Sequence, residues 1–424
     1  MWVNLAHVCR KWRAVMFASS SRLDLGITVG NTKPRHIKTV LSGPLSIFFF
    51  YRSVYGQLSG SALWRMRAAL KHRDRVCEIN FRGCQPAYDQ FFKETNCAFP
   101  VLESLDLFDY GLELPDTFLG GPDLSYLPLR RLKLGRVSLA SISRFLLSVT
   151  ALTDLSLLLN TAFSPSPQKS LLACLKGMHF LRRLDLSITS ESQSQPSTPK
   201  DIAPLSKLTF FRYRGDIGSL DHLVAGLSAP SLQDVCIDFY VEPHVAHLSR
   251  FIDEIEEHYY AVHVTFRGWD FRLSLLTQSE YINHCKPHFT LGAVPIDPPI
   301  SIMGMSRPLS TRFTTVEELR VTFNKEDVRV WEDSIPWRGF LQQFPRLKAL
   351  RTEGANDYHI AHTLLQDHEE PDDLALLPAL EEIELSKGSL LSPESQRGSE
   401  LAAFGPFVSA RQQAGRPVKV FFGA

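Results

Sequence analysis

Two histidines three residues apart, His244 and His247 in the stretch EPHVAHL, come nearest in this sequence to the spacing of metal ligands. On a helix they would share one face, as two ligands of one ion must. The acidic run DEIEEH at 253–258 follows them. It offers no third ligand at a recognised spacing and is typical of a solvated helix face. The sequence therefore predicts no metal site.

The cysteines and the search for catalytic motifs indicate no reactive site either. The seven cysteines include no C-x-x-C pair, and no N-glycosylation sequon accompanies them, which favours a reducing compartment. Cys77 and Cys84 fall inside the repeat pattern described below, so we expect them to be small core residues. The sequence contains no G-x-S-x-G, P-loop, dinucleotide glycine fingerprint or H-E-x-x-H. We expect a protein that is not an enzyme and holds no cofactor.

The composition is that of a folded protein with balanced charge. Hydrophobic residues make up 44% and charged residues 21% of the 424, and 46 Lys+Arg against 45 Asp+Glu leave a net charge of +1. This balance predicts neither nucleic acid nor a membrane as a partner. The longest apolar run, LSIFFFY at 45–51, is too short to span a bilayer, and Arg10, Lys11 and Arg13 interrupt any signal-peptide core. We expect a soluble protein of the cytoplasm or nucleus.

One pattern recurs along the chain, with apolar residues at its first, fourth and sixth positions. The clear copies are LESLDL at 102, LRRLKL at 129, LTDLSL at 152 and LRRLDL at 181. Weaker copies begin at 76, 208, 232, 259, 316, 347 and 380. Successive copies from 76 to 259 begin 23 to 29 residues apart, which is the period of a leucine-rich repeat. In a strand, these apolar positions enter one core that neighbouring repeats share.

The repeats predict an α/β fold, an irregular leucine-rich-repeat solenoid with a curved parallel sheet and helices or loops on its convex side. The solenoid should be irregular, because the usual Asn or Cys at the eighth position after the first Leu appears only as Cys84, Asn160 and Asn324. An ordinary α/β domain with strands of similar pattern is the alternative. We expect a short helix at 1–20, strands and a connector at 21–75, repeats at 76–290, a proline-rich loop at 291–312, and further repeats with a terminal strand at 313–424.

Charged residues alternate with the leucines and should line the opposite side of the sheet. Because parallel neighbours lie about 5 Å apart, the alignment puts Arg131 and Arg183 on either side of Asp154, and Lys133 beside Asp106. One interpretation is a self-neutralising ladder of exposed pairs, each worth little. The other is a polar surface for docking a protein. The predicted docking residues are Arg131, Lys133, Arg183, Arg212 and Arg214, with Tyr213 either a further anchor or a core residue.

The N-terminal stretch WVNLAHVCRKWRAVMF has the spacing of an amphipathic helix, with Arg10, Lys11 and Arg13 mostly opposite its apolar side. Together with the strand-like Arg22-Leu23-Asp24-Leu25 and the repeats, it resembles the C-terminal half of an F-box in fungal F-box proteins with degenerate leucine-rich repeats. The match rests on Leu5, Val8, Cys9, Trp12 and Arg13.

The resemblance implies that the chain is the substrate-recognition subunit of a cullin–RING ubiquitin ligase. Such proteins dock through the F-box onto a Skp-type adaptor, and their repeats hold the protein to be ubiquitinated. It also implies that Arg13 lies at the edge of this motif. The residues that it places within the F-box bundle or against the adaptor are Trp2, Leu5, Val8, Cys9 and Trp12.

The sequence departs from the F-box pattern in one respect. The first half of the motif, which normally opens on a Leu-Pro pair, has no counterpart before Met1. The helix at 1–20 then either docks onto the adaptor or packs as a cap over the first repeat, since the ends of a solenoid need covering. A leucine-rich-repeat scaffold that has lost adaptor docking is the alternative function.

Overall fold

The computed structural model divides the chain into two compact units. Unit 1 comprises 1–194, 199–209 and 226–230, and unit 2 comprises 195–198, 210–225 and 231–424. The structure describes residues 26–29, 46–52, 58–112, 127–160, 167–189, 202–239, 247–253, 255, 258–267, 270–283, 285–293, 302–303, 306–323, 335–353, 357–366, 376–385 and 394–422. The predicted helix at 1–20 lies outside these residues.

The described part of unit 1 contains a parallel sheet in which each strand pairs with the next one along the chain. Its strands are β1 Gly26–Val29, β2 Ser46–Arg52, β3 Val76–Arg82, β4 Ser104–Leu112, β5 Arg131–Val137, β6 Asp154–Asn160 and β7 Arg183–Thr189. A short parallel pair, Ala203–Pro204 with Leu227–Ser228, completes the described strands.

Helices connect the strands of unit 1. They are α1 Gly60–Leu70, α2 Gln85–Glu94, α3 Leu139–Ser148 and α4 Pro167–Leu175. The hydroxyl of Ser59 caps α1 by accepting from the Ala62 amide, and a proline in the first turn starts α2, where a missing N–H does no harm.

The core of unit 1 lies between the sheet and these helices. In the repeat that begins at Leu102, the apolar residues Leu102, Leu105 and Leu107 are all within 1% of complete burial, and the repeats at 129, 152 and 181 behave alike. Phe81 of β3 stacks on Phe91 of α2 at 4.4 Å between ring centroids. The apolar side of each predicted strand therefore faces the helices, as the repeat pattern requires.

Unit 2 contains a mostly parallel sheet with one antiparallel strand among the described residues. Its strands are β8 Phe210–Gly215, β9 Asp234–Phe239, β10 Ala261–Arg267, β11 Asp270–Leu276, β12 Phe289–Ala293, β13 Glu318–Phe323, β14 Ala349–Glu353, β15 Glu382–Leu385 and β16 Lys419–Phe422. The order is β8-β9-β12-β11-β10-β13-β14-β15-β16, and β11 runs antiparallel to both of its neighbours.

The helices of unit 2 pack mainly against the apolar side of its sheet. They are α5 Ile217–Ala225, α6 Leu248–Asp253, α7 Gln278–Ile282, α8 Ser310–Phe313, α9 Trp337–Leu341, α10 Asp357–Gln366 and α11 Glu394–Gln413. Phe211 meets Phe251 of α6, and Trp337 of α9 lies across Phe266 and Phe323. Helix α7 lies on the opposite side, as shown below.

The segment 259–316 differs from the repeat scheme. The scheme leaves a gap of about two periods there, and the structure fills it with β11 and β12. The chain turns back after β10, so β12, and not β10, lies beside β9. The segment expected as a loop at 291–312 begins inside β12, and its described end contains the 3-10 turn Arg307–Leu309 and the start of α8.

The fold class is confirmed at the level of a mixed α/β protein with mostly parallel sheets and helices. The C-terminal strand β16 pairs in parallel with β15. None of the helices in the described ranges is long and apolar enough to cross a bilayer.

Candidate functional site

Alternate residues of each strand point away from the helices, and we call this side of each sheet the outer face of its unit. In β3, Phe81 points toward α2, whereas Glu78, Asn80 and Arg82 lie on the outer face and are partly exposed. The strands that carry these charged side chains are fixed in place, because their inward-pointing residues are buried in the core.

The first row of the outer face of unit 1 has the register that the sequence predicts. Glu78, Ser104, Arg131, Asp154 and Arg183 are successive partners across β3 to β7, so Arg131 and Arg183 flank Asp154. The Arg131 guanidinium also lies 3.5 Å from the Glu78 carboxylate. It spans β4 to do so, because Ser104 between them is short.

The second row contains Lys133, which lies beside Asp106 in register as predicted. The Asp106 carboxylate accepts hydrogen bonds from the Asn80 amide at 3.2 Å and the Arg82 guanidinium at 3.1 Å. Lys133 forms no ion pair within the described part of the chain and is exposed. The charged rows are therefore not fully self-neutralising, because Lys133 has no carboxylate partner among the described residues. The cationic residues Arg131, Lys133 and Arg183 are exposed to solvent.

The predicted residues of β8 divide between the two sides of the sheet. Arg212 and Arg214 lie on the outer face of unit 2, where Arg212 is opposite Cys236 in register. Tyr213 is fully buried, and its hydroxyl donates to the Asp216 carbonyl at 2.7 Å. Burial, followed by the nearby Asp216 charge, raises the pKa of Tyr213 well above its ordinary value. Tyr213 is a core residue.

Arg214 belongs to a three-residue ion cluster on this face. Its guanidinium lies 3.2 Å from Asp238, and Arg272 approaches the same carboxylate at 3.7 Å from the far side of β12. Gly292 lies between them, and a Cβ there would be 2.5 Å from the Asp238 carboxylate. A side chain at this position would therefore displace the Asp238 carboxylate. The cluster carries one excess positive charge.

Helix α7 covers part of the outer face of unit 2 through an ion network whose central carboxylate is buried. The Tyr281 hydroxyl donates to Glu318, whose carboxylate lies 2.6 Å from the Arg351 Nε atom, and Arg351 also pairs with Glu384. Only 3% of the Glu318 side chain is exposed. Burial and the hydrogen bond to Glu318 raise the pKa of Tyr281 to about 12.

A pocket of about 210 Å³ opens beside this network. Its apolar lining residues are Ala261, Val262 and Leu276, and its polar ones are His263, Glu280, Tyr281, Cys285 and Arg320. The His263 ring lies 2.9 Å from the Thr322 hydroxyl. Cys285 is exposed, whereas burial raises the pKa of the Cys77 and Cys174 thiols to about 11, so the latter two are poor nucleophiles near neutral pH.

Sequence reasoning missed this pocket, because its lining combines residues of β10 and β13 with residues of the segment between them, which carries no repeat copy. One local signal was available. Thr277-Gln-Ser-Glu280 is a capping-box sequence, and in the structure the Thr277 hydroxyl and the Glu280 carboxylate cap α7 reciprocally. The signal predicts a helix start, but it does not place the helix over the sheet.

The remaining predicted residues are not tested by this geometry. The adaptor-binding candidates lie outside the described residues, as does His244. The His247 amide donates to Asp221 at 2.8 Å. Within the ranges that the structure describes, no three or more His, Cys, Asp or Glu residues are grouped to hold a metal ion.

Comparison with known proteins assigns the chain to no family, so its class is defined by its fold alone. No protein-family model matches the sequence, and no curated protein is similar enough to count as a match. The chain is thus an α/β protein whose described strands expose rows of charged side chains.

Proposed function

We propose that this chain is the substrate-recognition, F-box-type subunit of a cullin–RING ubiquitin ligase. It would be built as an irregular leucine-rich-repeat solenoid and would be non-catalytic itself. It binds a target protein through the outer faces, while its partners supply the ligase chemistry. The observation that carries the protein-binding part is the registered row from Glu78 to Arg183, in which long charged side chains stand on a rigid sheet.

The physical support is preorganisation. The leucines beneath the row are completely buried, so the backbone under Arg131, Lys133 and Arg183 is fixed before a partner arrives. Binding then costs less ordering entropy than it would on a loop. Arginine is also enriched in the centres of protein interfaces because its planar group makes several hydrogen bonds at once.

The adaptor part of the proposal rests on the resemblance of residues 2–13 to an F-box. Trp2, Leu5, Val8, Cys9 and Trp12 are the proposed contacts with the bundle or the Skp-type adaptor, and Arg13 is the edge residue. The alternative is a leucine-rich-repeat scaffold without adaptor docking. Both functions use the outer faces, so adaptor binding separates them.

Substitution of Leu5 and Trp12 by aspartate together is expected to abolish co-precipitation of the full chain with the Skp-type adaptor. Each change places a charge where an apolar contact is proposed, which costs several kcal/mol. The matched control is Lys11→Ala on the polar side of the same segment, which should retain binding. If the wild-type chain does not associate with the adaptor, the scaffold alternative replaces the ligase function.

Charge reversal on the outer face is expected to remove target binding and to spare the adaptor. Arg131→Glu with Lys133→Glu should reduce ubiquitination of the target at least about tenfold, because lost charge complementarity slows encounter and weakens the complex. Targets are defined by ubiquitin-remnant mass spectrometry as proteins whose modification disappears without this chain and returns with it. Lys93→Glu, an exposed change on α2, is the control. If the charge-reversal variant and Lys93→Glu restore target ubiquitination equally, the outer face of unit 1 does not bind the target.

A further inference from the structure

The pocket beside α7 has the size of a single side chain. Its volume of about 210 Å³ is below the roughly 300–1,000 Å³ typical of cofactor and small-molecule sites. It opens on the outer face of unit 2, which is the side proposed to meet a target protein. Ile282 directly follows Tyr281 in the chain and is 64% exposed.

The acidic groups around this pocket are already used by the chain itself. The Glu280 carboxylate accepts hydrogen bonds from the Thr277 amide at 2.7 Å, the Thr277 hydroxyl at 2.8 Å and the His288 amide at 2.7 Å. Glu318 is held by Tyr281 and Arg351. A carboxylate with this many donors is a weak partner for an incoming cation, because its lone pairs are occupied.

Arg320 is the lining residue with donors to spare. Its one ion-pair partner within the described part of the chain is Glu353, and the closest atoms are 3.9 Å apart. No hydrogen bond joins its guanidinium to the described residues, and its buried Nε is unsatisfied. The side chain is 33% exposed and lines the pocket, so its remaining N–H groups are accessible to a ligand.

We propose that this pocket binds the carboxylate of an aspartate or glutamate side chain of a protein partner, with Arg320 as the anchoring residue. A guanidinium matches a carboxylate in geometry and charge. The nearby carboxylates of Glu280, Glu318 and Glu353 repel a phosphate dianion about twice as strongly as a carboxylate, so the pocket selects the singly charged group. The proposal rests on the protein-binding part of the proposed function and is independent of adaptor docking.

Cys285 provides a reporter of occupancy, because it is exposed and lines the pocket. The full chain is treated with iodoacetamide, and alkylation of each cysteine is followed by peptide mass spectrometry. The probe is N-acetyl-glutamate α-amide, and the neutral control probe is N-acetyl-glutamine α-amide. A ligand of about 13 non-hydrogen atoms is expected to bind with a Kd on the order of 1 mM. At about 10 mM it should slow Cys285 alkylation about tenfold.

Three variants complete the test. Arg320→Gln should abolish protection by the acidic probe, Arg320→Lys should keep part of it, and Arg346→Gln, an exposed change in a turn, should keep all of it. Alkylation of Cys97 should not respond to the probe in any of these proteins. Thermal unfolding of each variant confirms that it is folded.

Several results would overturn the proposal. Equal protection by the two probes, retained protection in Arg320→Gln, or stronger protection by N-acetyl-lysine α-amide would each show that Arg320 does not select a carboxylate. If the Arg131 and Lys133 double variant loses target ubiquitination but Cys285 does not respond to the acidic probe, the proposed function stands and carboxylate binding by the pocket is wrong. If the acidic probe slows Cys285 alkylation but the chain binds neither a target nor the adaptor, the proposed function is wrong and carboxylate binding by the pocket stands.

Discussion

Replacing Phe81 with alanine is expected to lower the free energy of unfolding by about 3–5 kcal/mol. Phe81 has no exposed surface, and its ring contacts Phe91 at 4.4 Å, Tyr88 at 4.8 Å and Tyr51 at 4.9 Å between centroids. Truncation removes the transfer free energy of the ring and leaves a cavity that these rigid rings cannot fill. Denaturant unfolding monitored by circular dichroism measures the loss.

The contrast residue for Phe81 is Phe180 in the same unit. Its ring is 53% exposed, and its cation–π contact with Lys207 spans 4.4 Å. An exposed contact of this kind contributes about 0.5–1 kcal/mol, so Phe180→Ala should change stability by no more than that. If the two variants unfold at the same denaturant concentration, the aromatic cluster around Phe81 does not stabilise unit 1 as described.

Replacing Glu318 with alanine is expected to lower the stability of unit 2 by about 2–3 kcal/mol. Breaking a buried ion pair leaves its partner charged and desolvated, which typically costs about 3–5 kcal/mol. The cost is smaller here, because the Arg351 side chain is 31% exposed and retains its ion pair with Glu384. The Tyr281 hydroxyl also loses its acceptor, so α7 should detach from the sheet. Hydrogen exchange of the α7 amides would show this release.

The neighbouring Glu317 is a matched control of the same residue type. It pairs with Lys348 at 2.9 Å, but the two side chains are 36% and 49% exposed. A solvated pair of this kind contributes at most about 1 kcal/mol, so Glu317→Ala should be mild. A loss as large as that of Glu318→Ala would mean that burial does not distinguish these two carboxylates.

The same network predicts a dependence on high pH. In the unfolded chain Tyr281 ionises near its usual value of about 10, whereas in the folded protein its pKa is about 12. A raised pKa stabilises the fold fully below pH 10, and this contribution is lost as pH rises through 12. The Glu318→Ala variant should show a smaller decline over that window, because one cause of the raised pKa is gone.

The repeat pattern predicted the strands because three constraints agree at each copy. The apolar positions of LRRLKL at 129 fix which side is buried, the period fixes where the next strand falls, and parallel pairing then fixes the register. The neighbours Arg131, Asp154 and Arg183 follow from sequence alone for this reason. Tyr213 could not be assigned to one side, because aromatic residues with a polar tip occur on both.

The segment 259–316 escaped prediction for a physical reason. β11 buries Phe271, Leu273 and Leu275 by simple alternation, which carries no repeat signature and does not distinguish a parallel neighbour from an antiparallel one. The turn after β10 reverses the chain, and only pairing with β9 and β13 decides where the reversed strands lie.

Side-chain alternation and repeat period are local properties of a chain, so they were enough to predict the α/β class, the strands of the repeat pattern and the charged rows beside the leucines. Tertiary packing placed α7 across the outer face, brought Tyr281 to Glu318 from 37 residues away, and left Arg320 with unused donors beside a pocket. Such contacts depend on long-range packing, and no spacing within the sequence encodes them.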